Sequence, residues 1–259
     1  MSAHLTPEST SEAGIDRLYA SAEHAFGVDN IPQDPNPYKV DFAKDKSRSS
    51  ESSNEDWPLS FEAKRIIGVS LNDLYKRDGV AVPSFLSQCF LAVEKIGLDR
   101  EGIYRLSAVP GDVDRVISAL ETNRPVNFDN PENFLHSIDN ITGLVKRFLE
   151  KLPDRVFPIQ FSSQLHEAAR IESDSRRCYS LRAIMKALPH AHYAVARVVF
   201  LHLHNVQKHS ANNRMPIGNL AKFLGPALMA GEAGWEAVQI ILLNTKTILK
   251  NTSQIFDDG

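Results

Sequence analysis

An all-α fold follows from three features of this chain. Apolar residues recur at helical spacing over most of its length. No segment shows the period-two alternation of a half-buried strand. The breaks between periodic stretches carry proline and glycine. The periodic region begins near residue 61. The preceding stretch, 1–60, contains Pro32, Pro35 and Pro37 and a polar run over 44–56 rich in Ser, Lys, Asp and Glu. Such a run buries too little apolar surface to offset chain entropy. The expectation is a largely disordered linker over 1–60 and one helical domain over 61–259. Within the linker, Ile15, Leu18, Tyr19 and Ala22 share a face, which predicts a short and marginal helix over 15–26.

Each helix has its own signature. Pro83 stands at a favoured first-turn position, Phe85, Cys89, Val93 and Ile96 repeat at helical spacing, and Gly97 is the expected C-cap. Asp112 is the expected N-cap of a helix with Val113, Val116, Ile117 and Leu120 on its apolar face. The clearest pattern is Ile141, Leu144, Val145, Phe148, Leu149 and Leu152, ended by Pro153. Cys178, Leu181, Met185 and Leu188 mark another, and Val195, Val198, Val199, His202 and Val206 the next. A short helix over 216–224 is expected to close at Gly225-Pro226, and a last one to run over 234–249.

Composition narrows the function classes. The chain has 259 residues, 42% of them hydrophobic, and a net charge of −3, so no basic excess points to nucleic acid or to an anionic membrane. No apolar run approaches the ~20 residues of a membrane span, and the first ten residues lack the apolar core of a signal peptide. Cys89 and Cys178 cannot build a disulfide framework; buried, reduced thiols and a cytoplasmic protein are the expectation. No glycine-rich turn ends in Gly-Lys-Ser/Thr, so GTP binding by the chain itself is not expected. His190-x-His192 and His202-x-His204 place imidazoles at i and i+2, on different helix faces and outside metal-ligand spacing. No metal site is expected.

The segment Glu101-Gly102-Ile103-Tyr104-Arg105-Leu106-Ser107 lies between two helical patterns. Its plainest reading is a surface arginine paired with Glu101 or a helix end. A sharper one is a guanidinium presented on a loop by apolar neighbours. Such a group can enter another protein's active site and neutralise the charge that develops in phosphoryl transfer, an effect worth roughly 10³–10⁵ in rate.

Motifs in order over residues 67–249 carry a resemblance. They are Gly68-Val69-Ser70-Leu71, Val82-Pro83 with Glu94-Lys95-Ile96-Gly97-Leu98, the 101–107 run, and Asn130-Pro131-Glu132. Leu144-Val145-Lys146-Arg147-Phe148-Leu149 with Leu152-Pro153 follows, and then Asn213-x-Met215-x-x-x-Asn219-Leu220-Ala221-x-x-Leu224-Gly225-Pro226-x-Leu228-Met229. Together they resemble the Rho-type GTPase-activating (RhoGAP) domain.

The resemblance implies a helical domain that stimulates GTP hydrolysis by a Rho-family small GTPase in signal transduction. Arg105 would be the catalytic arginine finger, with Lys146 and Asn219 contacting the GTPase and Asn219 also holding the finger. The chain would do no covalent chemistry and need no cofactor, GTP and Mg²⁺ belonging to the partner. The alternative is a catalytically weak or inactive module of the same fold that docks a GTPase or another signalling protein as a scaffold. Two departures bear on that choice. Ala108 stands where the family often has Gly, and would cost about 1 kcal/mol if the position needs positive φ. Glu150 stands four residues after Lys146, where many members have Arg. A Lys146–Glu150 pair would be i,i+4 in the less favourable order. The run Ile31-Pro32-Gln33-Asp34-Pro35-Asn36-Pro37-Tyr38 and the stretch 188–207 are also similar to fungal proteins joining an F-BAR module to a RhoGAP domain. That similarity implies recruitment to the inner face of the plasma membrane through a module absent from this sequence.

Overall fold

The computed structural model describes residues 64–128, 137–230 and 234–249. The expected linker over 1–60, its helix over 15–26 and the Asn130-Pro131-Glu132 run lie outside the described residues. Within them the fold is all-α, and the one extended pairing is an isolated parallel bridge between Phe157 and Met229. The helices are α1 (Leu71–Asp78), α2 (Ser84–Ile96), α3 (Pro110–Glu121), α4 (Ile138–Lys151), α5 (Ser162–Ala169) and α6 (Asp174–Ala187). They continue as α7 (His190–Lys208), α8 (Ser210–Asn213), α9 (Ile217–Leu228), α10 (Gly234–Leu243) and α11 (Thr245–Leu249).

Two helices organise the core. The predicted stripe of α4 is buried throughout, from Ile141 to Leu152, and packs on α2, α3 and α9. Each such side chain stabilises the fold by about 1.5–3 kcal/mol through burial. Phe148 meets Phe85 of α2 edge to face, ring centroids 5.0 Å apart. The longest helix, α7, buries Val195, Val198, Val199, His202 and Val206, and touches α1, α2 and α8 to α11. Cys89 and Cys178 are buried and free, and burial pushes both thiols up, so they stay protonated.

Several boundaries differ from expectation. Asp112 does not cap α3. The helix starts at Pro110, and Asp112 sits in its first turn, accepting hydrogen bonds from Asn140 and Arg115. Gly97 does end α2, though without positive φ: its missing Cβ makes room for Ile138, whose Cγ1 would lie 2.7 Å from that atom. Ile96 is exposed, because the core face of α2 ends at Val93. The helix expected to close at Gly225-Pro226 runs on to Leu228. Pro226 falls in its last turn on the exposed side, so only one helical bond is lost, from a carbonyl near solvent. The last helix breaks at Asn244. There Asn244 Nδ2 donates to Ile240 O, and Thr245 Oγ1 to Ile241 O and Leu242 O, each at 3.0 Å; side chains compete with the backbone ladder. Neither α1 nor α5 had a sequence signature, each burying only two or three side chains.

At Gly225 the backbone of α10 lies close against α9. A Cβ there would lie 2.9 Å from Trp235 Cα, which is backbone and cannot give way. Gly225→Ala is expected to lower unfolding free energy by about 1–3 kcal/mol in urea denaturation. Gly111→Ala meets nothing within 4 Å in α3 and is expected to raise it by about 0.5–1 kcal/mol. Equal effects of the two would contradict this packing.

Candidate functional site

The segment 101–107 is a compact turn anchored from below. Ile103 and Tyr104 are 0% and 1% exposed, whereas Arg105, Leu106 and Ser107 are exposed. Two residues lie in the left-handed region, Gly102 at φ 72° and Tyr104 at φ 64°. Glycine accepts that conformation freely, but for an L-residue such as tyrosine it costs about 1–2 kcal/mol. Arg105 N and Leu106 N both donate to Gly102 O, at 2.8 and 2.9 Å. The Arg105 guanidinium folds back over Gly102, where a Cβ would lie 3.2 Å from one of its terminal nitrogens. Arg105 forms no ion pair with Glu101 or any other carboxylate among the described residues.

Beneath the turn runs a polar chain, buried at Tyr104 and His202 and partly exposed at Glu94. The Tyr104 hydroxyl is 2.7 Å from His202 Nε2, and His202 Nδ1 is 2.8 Å from Glu94 Oε1. A carboxylate only accepts, so the Nδ1 proton points to Glu94, and in the neutral ring Nε2 accepts from Tyr104. His202 also stacks on Phe90, ring centroids 4.4 Å apart. It is wholly buried, and burial pushes its pKa below the ordinary 6.5 despite the opposing Glu94 hydrogen bond. It is therefore neutral, as this donor–acceptor pattern requires.

The entry of the turn is tied to Asn213. Gly102 N donates to Asn213 O at 2.8 Å, and Asn213 Nδ2 donates to Leu98 O and Val206 O at 2.8 and 2.9 Å. Asn213 Oδ1 accepts from Met215 N at 2.8 Å. The exit is tied to α4: Val109 N donates to Asn140 Oδ1 at 2.9 Å, and Asn140 Nδ2 to Asp112 at 2.9 Å. Ala108 is absent from the positive-φ residues, so the backbone penalty considered for it does not apply. Its methyl rests instead on Gly143, where a Cβ would overlap it.

Gly143 is one turn before Lys146 on α4. Lys146 is half-buried and Glu150 exposed, and no ion pair joins them among the described residues. The neighbouring Arg147 pairs with Asp114 of α3. Asn219 lies in the first turn of α9, where Nδ2 donates to Arg214 O at 3.2 Å. No hydrogen bond joins it to Arg105; the link runs through the 213–215 turn. Of the three residues singled out from sequence, Arg105 stands on the turn, Lys146 on the helix that holds Ala108 and Val109 at its exit, and Asn219 on the helix that follows the 213–215 lead-in. Sequence reasoning missed Tyr104, Glu94, Asn140 and the hub role of Asn213. Its one available signal was His202, a polar residue on the apolar stripe of α7.

The histidines have separate surroundings. His192 Nδ1 is 3.0 Å from Val156 O, and His190 meets Tyr75. Among the described residues no three metal-ligating side chains converge, and no helix is long and apolar enough to cross a membrane.

Gly143→Ala should push Ala108 off α4 and cost about 1–3 kcal/mol, and Ala108→Gly in that background should restore most of it. Additive losses in urea denaturation would contradict the contact. A pH effect follows from His202. The unfolded chain takes up a proton below about pH 6.5 and the folded one resists it, so stability is whole above that value and falls as pH drops below it. His204, also lowered by burial, acts in the same direction. Urea denaturation at pH 7.5 and 5.5 should show the loss, and a smaller one in His202→Gln. An unchanged loss in that variant would remove His202 from the account.

The RhoGAP domain family model matches residues 83–233. Rho GTPase-activating protein 15 of Gallus gallus is 30% identical over 196 residues, 74% of this chain and 41% of that protein. Rho GTPase-activating protein 27 of Homo sapiens is 30% identical over 168 residues, 65% of this chain and 19% of that protein. The probable Rho-GTPase-activating protein 7 of Schizosaccharomyces pombe is 26% identical over 195 residues, 75% of this chain and 28% of that protein. The chain thus spans well under half the length of these curated relatives. The crystal structure of human Rho GTPase activating protein 15 superposes with a TM-score of 0.70 at 26% identity, covering 74% of this chain and 95% of that one. With its family match spanning the 101–107 turn, α4 and α9, the chain belongs to the RhoGAP domain family.

Proposed function

We propose that this chain is a GTPase-activating protein for a Rho-family small GTPase, and that Arg105 is its arginine finger, supplied in trans. The observation that carries the reading is an exposed guanidinium without a carboxylate partner on a turn whose two preceding residues are buried. Membership of the family supports the partner class. On docking, the guanidinium swings off Gly102 into the partner's site and donates to the transferring phosphoryl oxygens. Charge developing there is stabilised best by a donor held in place and desolvated by the docked interface. Lys146 on α4 and Asn219 on α9 contact the GTPase. The chain acts by completing its partner's active site, and the GTP and Mg²⁺ are the partner's. The domain spans 61–259, and residues 1–60 connect it without taking part. It works in the cytoplasm, recruited to the inner face of the plasma membrane by an F-BAR-type module carried elsewhere.

Glu150 favours a second reading, docking without acceleration. It adds an exposed negative charge one turn beyond Lys146 on the face that would meet the nucleotide-bearing partner.

Single-turnover GTP hydrolysis by a panel of Rho-family GTPases separates the two. The chain should stimulate at least one, and Arg105→Ala should lower that stimulation by about 10³ with complex formation retained. Arg105→Lys should fail as well, because an ammonium cannot reproduce the planar fork. Binding without stimulation would favour docking alone. Deleting residues 1–60 should leave stimulation intact, and its loss would overturn the linker assignment.

A further inference from the structure

We propose that Tyr104, His202 and Glu94 form a positioning device for Arg105, a largely buried hydrogen-bonded chain that holds residue 104 in its left-handed conformation and so fixes the direction in which the next side chain leaves the turn. The proposal rests on the reading of Arg105 as the group that enters the partner's site.

A tyrosine at φ 64° persists only where its surroundings over-determine it. The surroundings here are specific. The ring is 1% exposed and sits edge-on to His202, centroids 5.7 Å apart. Its hydroxyl has a buried acceptor at 2.7 Å, and that acceptor is oriented by Glu94 through the other ring nitrogen. Stacking on Phe90 fixes the imidazole plane. Asn205 Nδ2 donates to the same Glu94 oxygen at 3.3 Å, holding the carboxylate in turn. The three groups come from α2, the turn and α7, so the turn is referenced to the two helices beneath it.

The consequence is directional. If residue 104 relaxed to negative φ, the chain would leave it along a different line, and the Arg105 Cα–Cβ bond would turn with it. Rotation about a backbone bond next to a long side chain moves its guanidinium by ångströms, and a misplacement of about 1 Å costs about a hundredfold in rate. Packing of the ring alone does not prevent this. A phenylalanine fills nearly the same volume but leaves His202 Nε2 without its donor.

The test uses the full chain and the GTPase it stimulates best, loaded either with a non-hydrolysable GTP analogue or with GDP and aluminium fluoride. The fluoride mimics the transferring phosphoryl group and engages the finger; the analogue depends on it far less. Tyr104→Phe should lower single-turnover stimulation by about ten- to a hundredfold and weaken binding to the fluoride complex comparably. Affinity for the analogue complex should stay within about twofold, since the docking surface is untouched. In an Arg105→Ala background, Tyr104→Phe should change neither affinity further, because Tyr104 acts through Arg105. Glu94→Gln, a weaker acceptor, should show the same split with a smaller loss, and serves if Tyr104→Phe does not fold. Unchanged stimulation in a folded Tyr104→Phe overturns the proposal, as does an equal loss in the presence and absence of Arg105. Full activity of Arg105→Ala overturns the finger reading itself, and the proposal with it.

Discussion

Asn213 carries the connections on which the site depends. It is fully buried, its carboxamide bonds the end of α2, the end of α7 and the lead-in to α9, and its backbone carbonyl holds Gly102. Removing this side chain would take the partners from the Leu98 carbonyl and the Met215 amide, each at a cost of about 1–3 kcal/mol, while the Val206 carbonyl would keep only His209 N. One residue therefore sets the height of the 101–107 turn against three helices. The exit of the turn is fixed independently, by Asn140 and by the contact of Ala108 with Gly143 on α4.

What results is a contrast between a rigid floor and a free tip. Ile103 and Tyr104 are sunk into the domain, while Arg105 stands in solvent without a counter-charge. A cation already paired on its own surface would have to break that pair before serving another protein. In the finger role proposed for it, Arg105, resting over the face of Gly102, need only swing outward. Ala108 is fitted by the same close packing. A methyl where relatives often have none is accommodated by a glycine across the interface, so that departure from the family pattern leaves the turn unstrained. Glu150 is exposed and forms no ion pair with Lys146 among the described residues.

Long periodic elements were legible in the sequence. The α4 stripe and the apolar face of α7 could be written down residue by residue, because a 3.6-residue period sustained over four turns is the mark of a helix with one buried face. Ends were less legible. Pro226 and Gly225 look like a stop, yet the stop comes three residues later, and Asn244 looks like an ordinary helical position where the helix breaks. Asp112 has the chemistry of a cap and serves α4 instead, a role set by Asn140 far along the chain. Arg105 was singled out as a candidate finger through resemblance, since a loop arginine has no periodicity to betray it. Its support was invisible: Tyr104 and Glu94 lie 98 and 108 residues from His202, and only the packed structure brings them together.

On the function proposed, activation of a partner depends on a 101–107 backbone that is already in its working form. The most direct measurement is a structure of the chain bound to a Rho-family GTPase carrying GDP, Mg²⁺ and aluminium fluoride. The predicted result is Tyr104 still at positive φ with its hydroxyl on His202, Gly102 still bonded to Asn213, and the Arg105 guanidinium alone displaced, within hydrogen-bonding distance of the fluoride. A refolded 101–107 backbone, or a fluoride reached by another cation with Arg105 left over Gly102, would contradict it.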